Sequence, residues 1–554
     1  MQNQEKLGLD GRLYRNADFG AGKEGKVRLQ RLYSMMLEVV SLPTFPIYPI
    51  SENAALAAAA AAAVAMTLGY SLWRLNTPKS SFQSAKPLPQ PPSLPILGNA
   101  HHIGANSFKC FDYWARKLGP ILQFDVGTEH WVIVSDYQIA YEICSKRGVL
   151  YNSRPTNNHF IGILTDGFKS LISCPYGEEW RKLRRIFIDA IGSRRLPKYQ
   201  EYIDNEVTHL IANIGKTKQQ ATSPLPLIQL FTYNVIIKLL VDQRFDDAGD
   251  PWIVREMEIG EQTSAFLSPT GNPVHVFPIL GLLPRSWVGY KEEDVLAVKA
   301  EALGRFEIMI AKLRQRLGNG EDVQCFCRDI LEKEAEGEMD HDEVLQLMGV
   351  TITAGYETTA ATITWWIAEI ANRADIQAKL YTELRQTLGS SEKLPTYEEA
   401  LRMPYLIATI REAMRLHPAG PLGLPHLVMD DDIYEGYHIP KDNAIMLNIY
   451  AMNRDPKRFE DHNVFKPERY LNVRQLSSTL ANGRSEDRDH TSFGFGRRVC
   501  AGMQLAEREL LTVTSAIVSS FSLEPVDGPI DTENFKLGIT MKALPYNVKF
   551  VPRS

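Results

Sequence analysis

Cysteine is scarce here and forms no framework. The six cysteines, Cys110, Cys144, Cys174, Cys325, Cys327 and Cys500, are scattered through 554 residues with no paired Cys-x-x-Cys spacing. That excludes a disulfide scaffold and a zinc ribbon, and fits a reducing, cytosol-facing chain. Neither sign of charge dominates: 61 Lys and Arg stand against 66 Asp and Glu, a net charge of −5. There is therefore no basic footprint for nucleic acid and no acidic tail. A dinucleotide fingerprint is also missing. The Gly-x-Gly beside a strand-like run, Gly494-Phe-Gly496, has Val499 where the third glycine would stand. No other stretch reads as a flavin or nicotinamide site, so a redox reaction would have to take its electrons from another protein.

What is present begins with a run from Ala54 to Trp73 that contains no charged residue. About 20 helical residues at ~1.5 Å each cover a hydrocarbon core of ~30 Å. A transmembrane anchor over residues 54–74 is expected. Ala57 to Ala63 are all alanine, which leaves an alanine-rich soluble helix as the alternative. Glu38 and Glu52 precede the run and Arg74, Lys79 and Lys86 follow it, so the large C-terminal part should face the cytosol. Residues 1–53 form an extension to which no role is assigned. After the anchor, residues 75–99 include Lys86-Pro-Leu-Pro-Gln-Pro-Pro-Ser-Leu-Pro95, where fixed proline dihedrals give a stiff, extended hinge. Residues 100–554 are expected to hold the catalytic domain.

Within that domain, residues 108–118 look helical. Ile121 to Val126 and Trp131 to Ser135 look like strands joined at Gly127, and residues 535–540 and 546–551 alternate as a terminal hairpin would. The chemistry concentrates near the end, in Phe493-Gly-Phe-Gly-Arg-Arg-Val-Cys500-Ala-Gly502, followed by a helical run from Met503. A cysteine near arginines and at the first turn of a helix has its thiolate favoured by cations and by orphan N–H groups, which makes it a nucleophile or a metal ligand. Trp180 and Arg184 stand at i and i+4, on one helical face, and present two donors to one anion. In the long helix expected over 342–372, the run Gly349 to Thr359 is rich in Gly and Thr. These lower helix propensity and offer hydroxyls to the preceding turn, so a local distortion is expected. Glu357 and Thr358 there combine a carboxylate and a hydroxyl that relay protons. Glu412 and Arg415, at i and i+3, read as a helical ion pair.

The pattern of Phe493, Gly496, Arg498, Cys500 and Gly502 resembles the haem-binding loop of the cytochrome P-450 superfamily. The run Ala354-Gly355-x-Glu357-Thr358-Thr359 resembles its oxygen-activation segment. The resemblance covers the chain from about residue 86 onward. It implies a mainly helical fold with a small β-rich lobe and haem b between the long helix and the Cys500 loop. Cys500 is then the axial iron ligand, and Glu357 and Thr358 are the acid–alcohol pair. Trp180, Arg184, His426 and Arg498 would meet the propionates, and Glu412, Arg415 and Arg469 would form a buried triad behind the haem. Ala354, Gly355, Phe493, Gly496 and Gly502 would border the cofactor. The segments around 152–174 and 240–285 and the turn at 536–541 would shape the substrate channel.

The activity implied is monooxygenation of a small apolar or aromatic substrate, with O2 and with electrons from a separate NADPH-dependent reductase, cytochrome b5 being a further partner. Arg181, Lys182 and Arg185 are the expected docking patch for the reductase. The hinge, the Phe-Gly-Phe-Gly-Arg-Arg loop and Lys466-Pro-Glu-Arg-Tyr470 are similar to fungal microsomal members. Those members imply an endoplasmic-reticulum, single-pass protein of secondary metabolism. A catabolic aromatic hydroxylase, a reductase-independent isomerase or dehydratase, and a non-enzymatic haem-binding protein are the alternatives.

Overall fold

The proline-rich stretch becomes extended backbone, as its dihedrals require, and pairs with the body of the protein through β1 (Lys86–Pro87), which runs parallel to β6 (Tyr437–Ile439). This computed structural model describes residues 85–95, 97–103, 106–127, 129–267, 277, 280, 289–389 and 393–553. The expected extension 1–53, the anchor 54–74, the first part of the hinge and most of residues 268–285 of the expected channel segment 240–285 lie outside the described residues.

The four-stranded sheet grows from the two strands expected at 121–135. β2 (Ile121–Val126) and β3 (Glu129–Val134) pair antiparallel, β3 pairs in parallel with β7 (Ala444–Leu447), and β7 pairs with β4 (His426–Leu427). β5 (Asp432–Tyr434) joins β6 in the sheet with β1. The expected terminal hairpin is corrected. β9 (Phe535–Leu537) turns back onto β10 (Met541–Ala543), whereas β11 (Val548–Pro552) pairs with β8 (Phe521–Pro525). Alternation marks a strand but not its partner.

The rest is mainly helical. The helices that position the site are α1 (Ser107–Leu118), α2 (Glu178–Ile191), α3 (Leu196–Gly215), α4 (Pro224–Val241), α5 (Pro251–Leu267), α6 (Glu292–Gly318), α7 (His341–Ala371), α8 (Pro404–Leu416) and α9 (Met503–Ser520). α7 starts at a capping box in which Asp340 and Glu343 each accept the other's backbone N–H. It is apolar nearly all round, which requires burial on every side. α4 and α7 pack on each other, α3 lies against α4, α6 lies against both with α5 packed on α6, and α8 and α9 pack on α7. Gly355 explains how closely α4 approaches: a Cβ there would stand 2.5 Å from Ile236 Cδ1. Among the described helices α4 alone is long and apolar enough to cross a membrane, and 72% of that span is buried inside the protein, as in a core helix.

α7 is assigned as one continuous helix from His341 to Ala371, through the Gly- and Thr-rich run where a local distortion is expected. Thr351, Thr358, Thr362 and Thr364 each donate their hydroxyl to the carbonyl four residues back, at 2.6 to 2.9 Å. Such bonds to the i−4 carbonyl share it with the helical ladder and tend to bend a helix.

Candidate functional site

The loop before α9 is folded tightly by its own backbone. Gly494 N–H donates to Thr491 O, and Cys500 N–H donates back to Phe493 O, both at 2.9 Å. Gly494 and Gly496 take φ of 77° and 58°, which side-chain-bearing residues rarely adopt. At Gly496 a Cβ would also collide with the carbonyl oxygen of Cys144. Phe493 is buried against His490. Gly502 caps α9, and a Cβ there would meet nothing within 4 Å, so this part of the loop borders open space.

Cys500 is the exposed cysteine of the described set, although protein encloses it so thoroughly that burial is the largest influence on its thiol. The side chain therefore opens onto an interior space. Burial pushes the thiol up, against the N–H groups of Gly502 and Met503 and the charge of Arg184, which favour thiolate. The expectation that nearby cations and the helix terminus would prevail is thus corrected: among protein groups alone, burial wins. A bound metal ion changes the sign, because it replaces the proton and binds the thiolate.

Ala354 is a second opening, an exposed residue in the middle of a buried helix. One turn on, the Thr358 hydroxyl, donating to Ala354 O at 2.7 Å, is itself exposed. α7 packs against α9, the helix that directly follows the Cys500 loop. Gly355 differs from Ala354. It turns toward α4, and its part is close helix packing.

Around the loop stand three guanidinium groups that have no carboxylate partner among the described residues. Arg498 donates to Asn152 O and Cys174 O, both at 2.7 Å, and Arg184 donates to Val499 O at 2.7 Å. Arg154 donates to Ile172 O, Leu424 O and Pro425 O. Burial brings Arg498 down to about 9, and the charges of Arg154 and Arg184 add to the effect. Trp180 lies under Arg498, its ring centre 4.4 Å from the guanidinium carbon. His426 donates or accepts at Nδ1 with Tyr151 O, 2.7 Å away. Since a carbonyl only accepts, Nδ1 carries the proton. Burial, then the charge of Arg154, holds this histidine well below the usual range, hence neutral.

Mutually repelling buried cations satisfied only by carbonyls leave a deficit of negative charge. A dianionic planar group with a central metal supplies both missing parts, charge for Arg154, Arg184 and Arg498 and an ion for Cys500. Haem b has that chemistry, and the residues present fit it. Arg154 was read only as part of a channel segment, since a lone arginine after Asn152-Ser153 carries no signal of its own.

Behind the site, the three triad residues meet. Arg415 makes a bidentate pair with Glu412 at 2.8 and 2.7 Å, and Arg469 Nε donates to Glu412 Oε1 at 3.0 Å. Glu412 and Arg415 side chains are 0% exposed. The remaining donors of Arg415 go to the carbonyls of Asn453, His462 and Val464, so the buried charge is fully bonded. The expected basic patch is thinner than its sequence. Lys182 is held by Glu343 at 2.5 Å and Arg185 by Glu338, which leaves Arg181 and the loop residue Arg497 exposed around Tyr176.

The family described as Cytochrome P450 matches residues 88–550. A trans-cinnamate 4-monooxygenase of Catharanthus roseus is 31% identical over 80% of this chain and 88% of its own. The cytochrome P450 monooxygenase polD of the fungus Polytolypa hystricis is 28% identical over 84% and 89%. Among solved structures, a zebra fish cytochrome P450 with progesterone superimposes with a TM-score of 0.69. It covers 81% of this chain and 100% of its own at 22% identity, a likeness of fold.

Proposed function

The chain belongs to the cytochrome P450 family, and from that premise we propose a membrane-anchored monooxygenase that oxidises a small aromatic or apolar substrate with electrons from a separate NADPH-dependent reductase. The observation that carries the reading is the exposed thiol of Cys500 opening inside the protein beside a cluster of unneutralised arginines. Haem b bound through the Cys500 thiolate supplies reductive activation of dioxygen. The protein's own contribution is to hold and to protonate. Arg154, Arg184 and Arg498 hold carboxylates, and neutral His426 offers Nε2 to the same neighbourhood. Trp180 backs Arg498, while Phe493, Gly496 and Gly502 keep the loop thin beside the cofactor. On the other side, small Ala354 leaves room for substrate. Thr358 orients a proton at its hydroxyl, and Glu357 is the carboxylate that replenishes it.

Glu412, Arg415 and Arg469 fix the framework behind the site. Arg181 and Arg497, exposed and without a carboxylate partner among the described residues, replace Lys182 and Arg185 as the proposed contact for an acidic reductase surface, cytochrome b5 being a second donor. The anchor at 54–74 and the hinge at 75–99 would hold the catalytic domain 100–554 on the cytosolic face of the endoplasmic reticulum. The fungal relatives are cytochrome P450 monooxygenases, and secondary metabolism is the role proposed here from the likeness of the hinge and the Cys500 loop to fungal microsomal members. A specific observation favours aromatic acids as substrates, since the Catharanthus roseus relative acts on trans-cinnamate.

Reconstitution with an NADPH-dependent reductase and trans-cinnamate as the probe tests both parts. NADPH-dependent formation of an oxygenated product is expected, and Thr358→Ala should lower it ~10²-fold while hydrogen peroxide rises. Turnover of a peroxide substrate with no need of NADPH would overturn the reading in favour of an isomerase or dehydratase.

A further inference from the structure

The β9–β10 hairpin contains an arrangement that sheet stability disfavours: Lys536 and Lys542 are directly opposite each other across the two strands. Like charges so placed destabilise a strand pair unless something compensates them. Two carboxylates from other elements do. Glu261 of α5 has Oε2 2.5 Å from Lys536 Nζ and Oε1 3.8 Å from Lys542 Nζ. Glu357 of α7 has Oε1 2.7 Å from Lys542 Nζ. Among the described residues no aligned hydrogen bond reaches Glu357 Oε1, which is enclosed, and Lys542 is the only cation within ion-pair distance of that carboxylate.

The four side chains also form a gradient of exposure. Glu357 is 6% exposed, Lys542 16%, Glu261 46% and Lys536 61%. Charged groups thus lead without interruption from solvent to a carboxylate buried on the central helix. Burial alone would push the Glu261 carboxyl up, and the two lysines outweigh it and hold it down. The other titratable groups nearby do not neutralise Glu357. The Tyr356 hydroxyl lies against Gly260 of α5, and Glu256, further along α5, is committed to Arg305 at 2.8 Å.

We propose that Lys542 is a positioning residue for Glu357, and that Lys542 with Glu261 forms the charged path by which that carboxylate exchanges protons with solvent. This rests on the reading that Glu357 replenishes protons at Thr358. Lysine suits the part, since its ammonium is a compact charge on a flexible stem that leaves one carboxylate for the other without the loss of a fixed bidentate geometry. In each transfer the proton leaving the Glu357 carboxyl is replaced by one from water or from the Glu261 end, and no electron moves.

Infrared difference spectroscopy of the haem-loaded, full-length protein as pH is varied is the test. The carboxylic C=O band that Glu357→Gln abolishes identifies Glu357. In Lys542→Met this band should move in frequency relative to the wild type, because the ammonium 2.7 Å from the carboxylate is gone, and Lys542→Arg should restore most of the wild-type band. With a donor reductase, hydrogen peroxide released per NADPH should rise roughly threefold or more in Lys542→Met and become pH-dependent, within the range of a lost proton-transfer group. Should Glu357→Gln leave peroxide release unchanged, the reading of Glu357 itself fails. A changed Glu357→Gln beside a Lys542→Met with a wild-type carboxyl band and wild-type peroxide release would overturn the role of Lys542 alone.

Discussion

Glu412→Ala should be among the most destabilising single substitutions in the chain, lowering stability by ~3–5 kcal/mol. The carboxylate it removes accepts two bonds from Arg415, one from Arg469 Nε and one from Lys466 N–H at 2.9 Å. Both members of the central pair are 0% exposed, so the orphaned Arg415 has no water to turn to, and its cost is that of an uncompensated buried charge. Exposed ion pairs are worth less than ~1 kcal/mol, which makes Lys379→Ala, whose partner Glu468 is also at the surface, the matched control. Thermal unfolding followed by circular dichroism should show a large loss for Glu412→Ala and almost none for the control. Equal, small losses would mean that the triad contributes no more than a surface pair.

Gly496→Ala should leave the helical fold intact and remove the cofactor. Two penalties add at that position. The backbone has φ 58°, which costs a residue with a Cβ ~1–2 kcal/mol, and the new methyl group would collide with Cys144 O. The obstacle is backbone of a buried segment and cannot rotate aside, so the loop must move. A strain of ~2 kcal/mol or more reduces the population of the correct loop roughly thirtyfold, and Cys500 leaves its place with it. Far-ultraviolet dichroism should be unchanged while haem per polypeptide falls at least ~10-fold. Normal haem content in this variant would show that the loop tolerates the side chain and that Gly496 does not position Cys500.

The parts of the site legible in the sequence are those whose geometry is local. The Cys500 loop, the i, i+3 pair Glu412–Arg415 and the capped helix carrying Glu357 and Thr358 each depend on neighbours within a few residues, so spacing alone implies contact. Trp180 and Arg184 were placed on one face for the same reason, though Arg498, not a second donor, occupies the face of the indole. Parts that depend on distant pairing were not legible. Lys542 is an ordinary lysine in an alternating strand until the chain brings α7 beneath it, and Arg154 has no local partner to reveal it. Strand alternation at 548–552 likewise could not say that β8, rather than the neighbouring hairpin, supplies the partner. The state of the Cys500 thiol is not legible in the sequence, because the helix terminus and nearby arginines are visible there, whereas the burial that outweighs them is a property of the fold.

Thiolate ligation at Cys500 is tested most directly by the carbon-monoxide difference spectrum of the reduced, detergent-solubilised protein beside that of Cys500→Ser. The wild type should give a strongly red-shifted Soret band that the variant lacks. A band typical of a neutral axial ligand, or the same red-shifted band in both proteins, would contradict ligation by Cys500 and the oxygen chemistry built upon it.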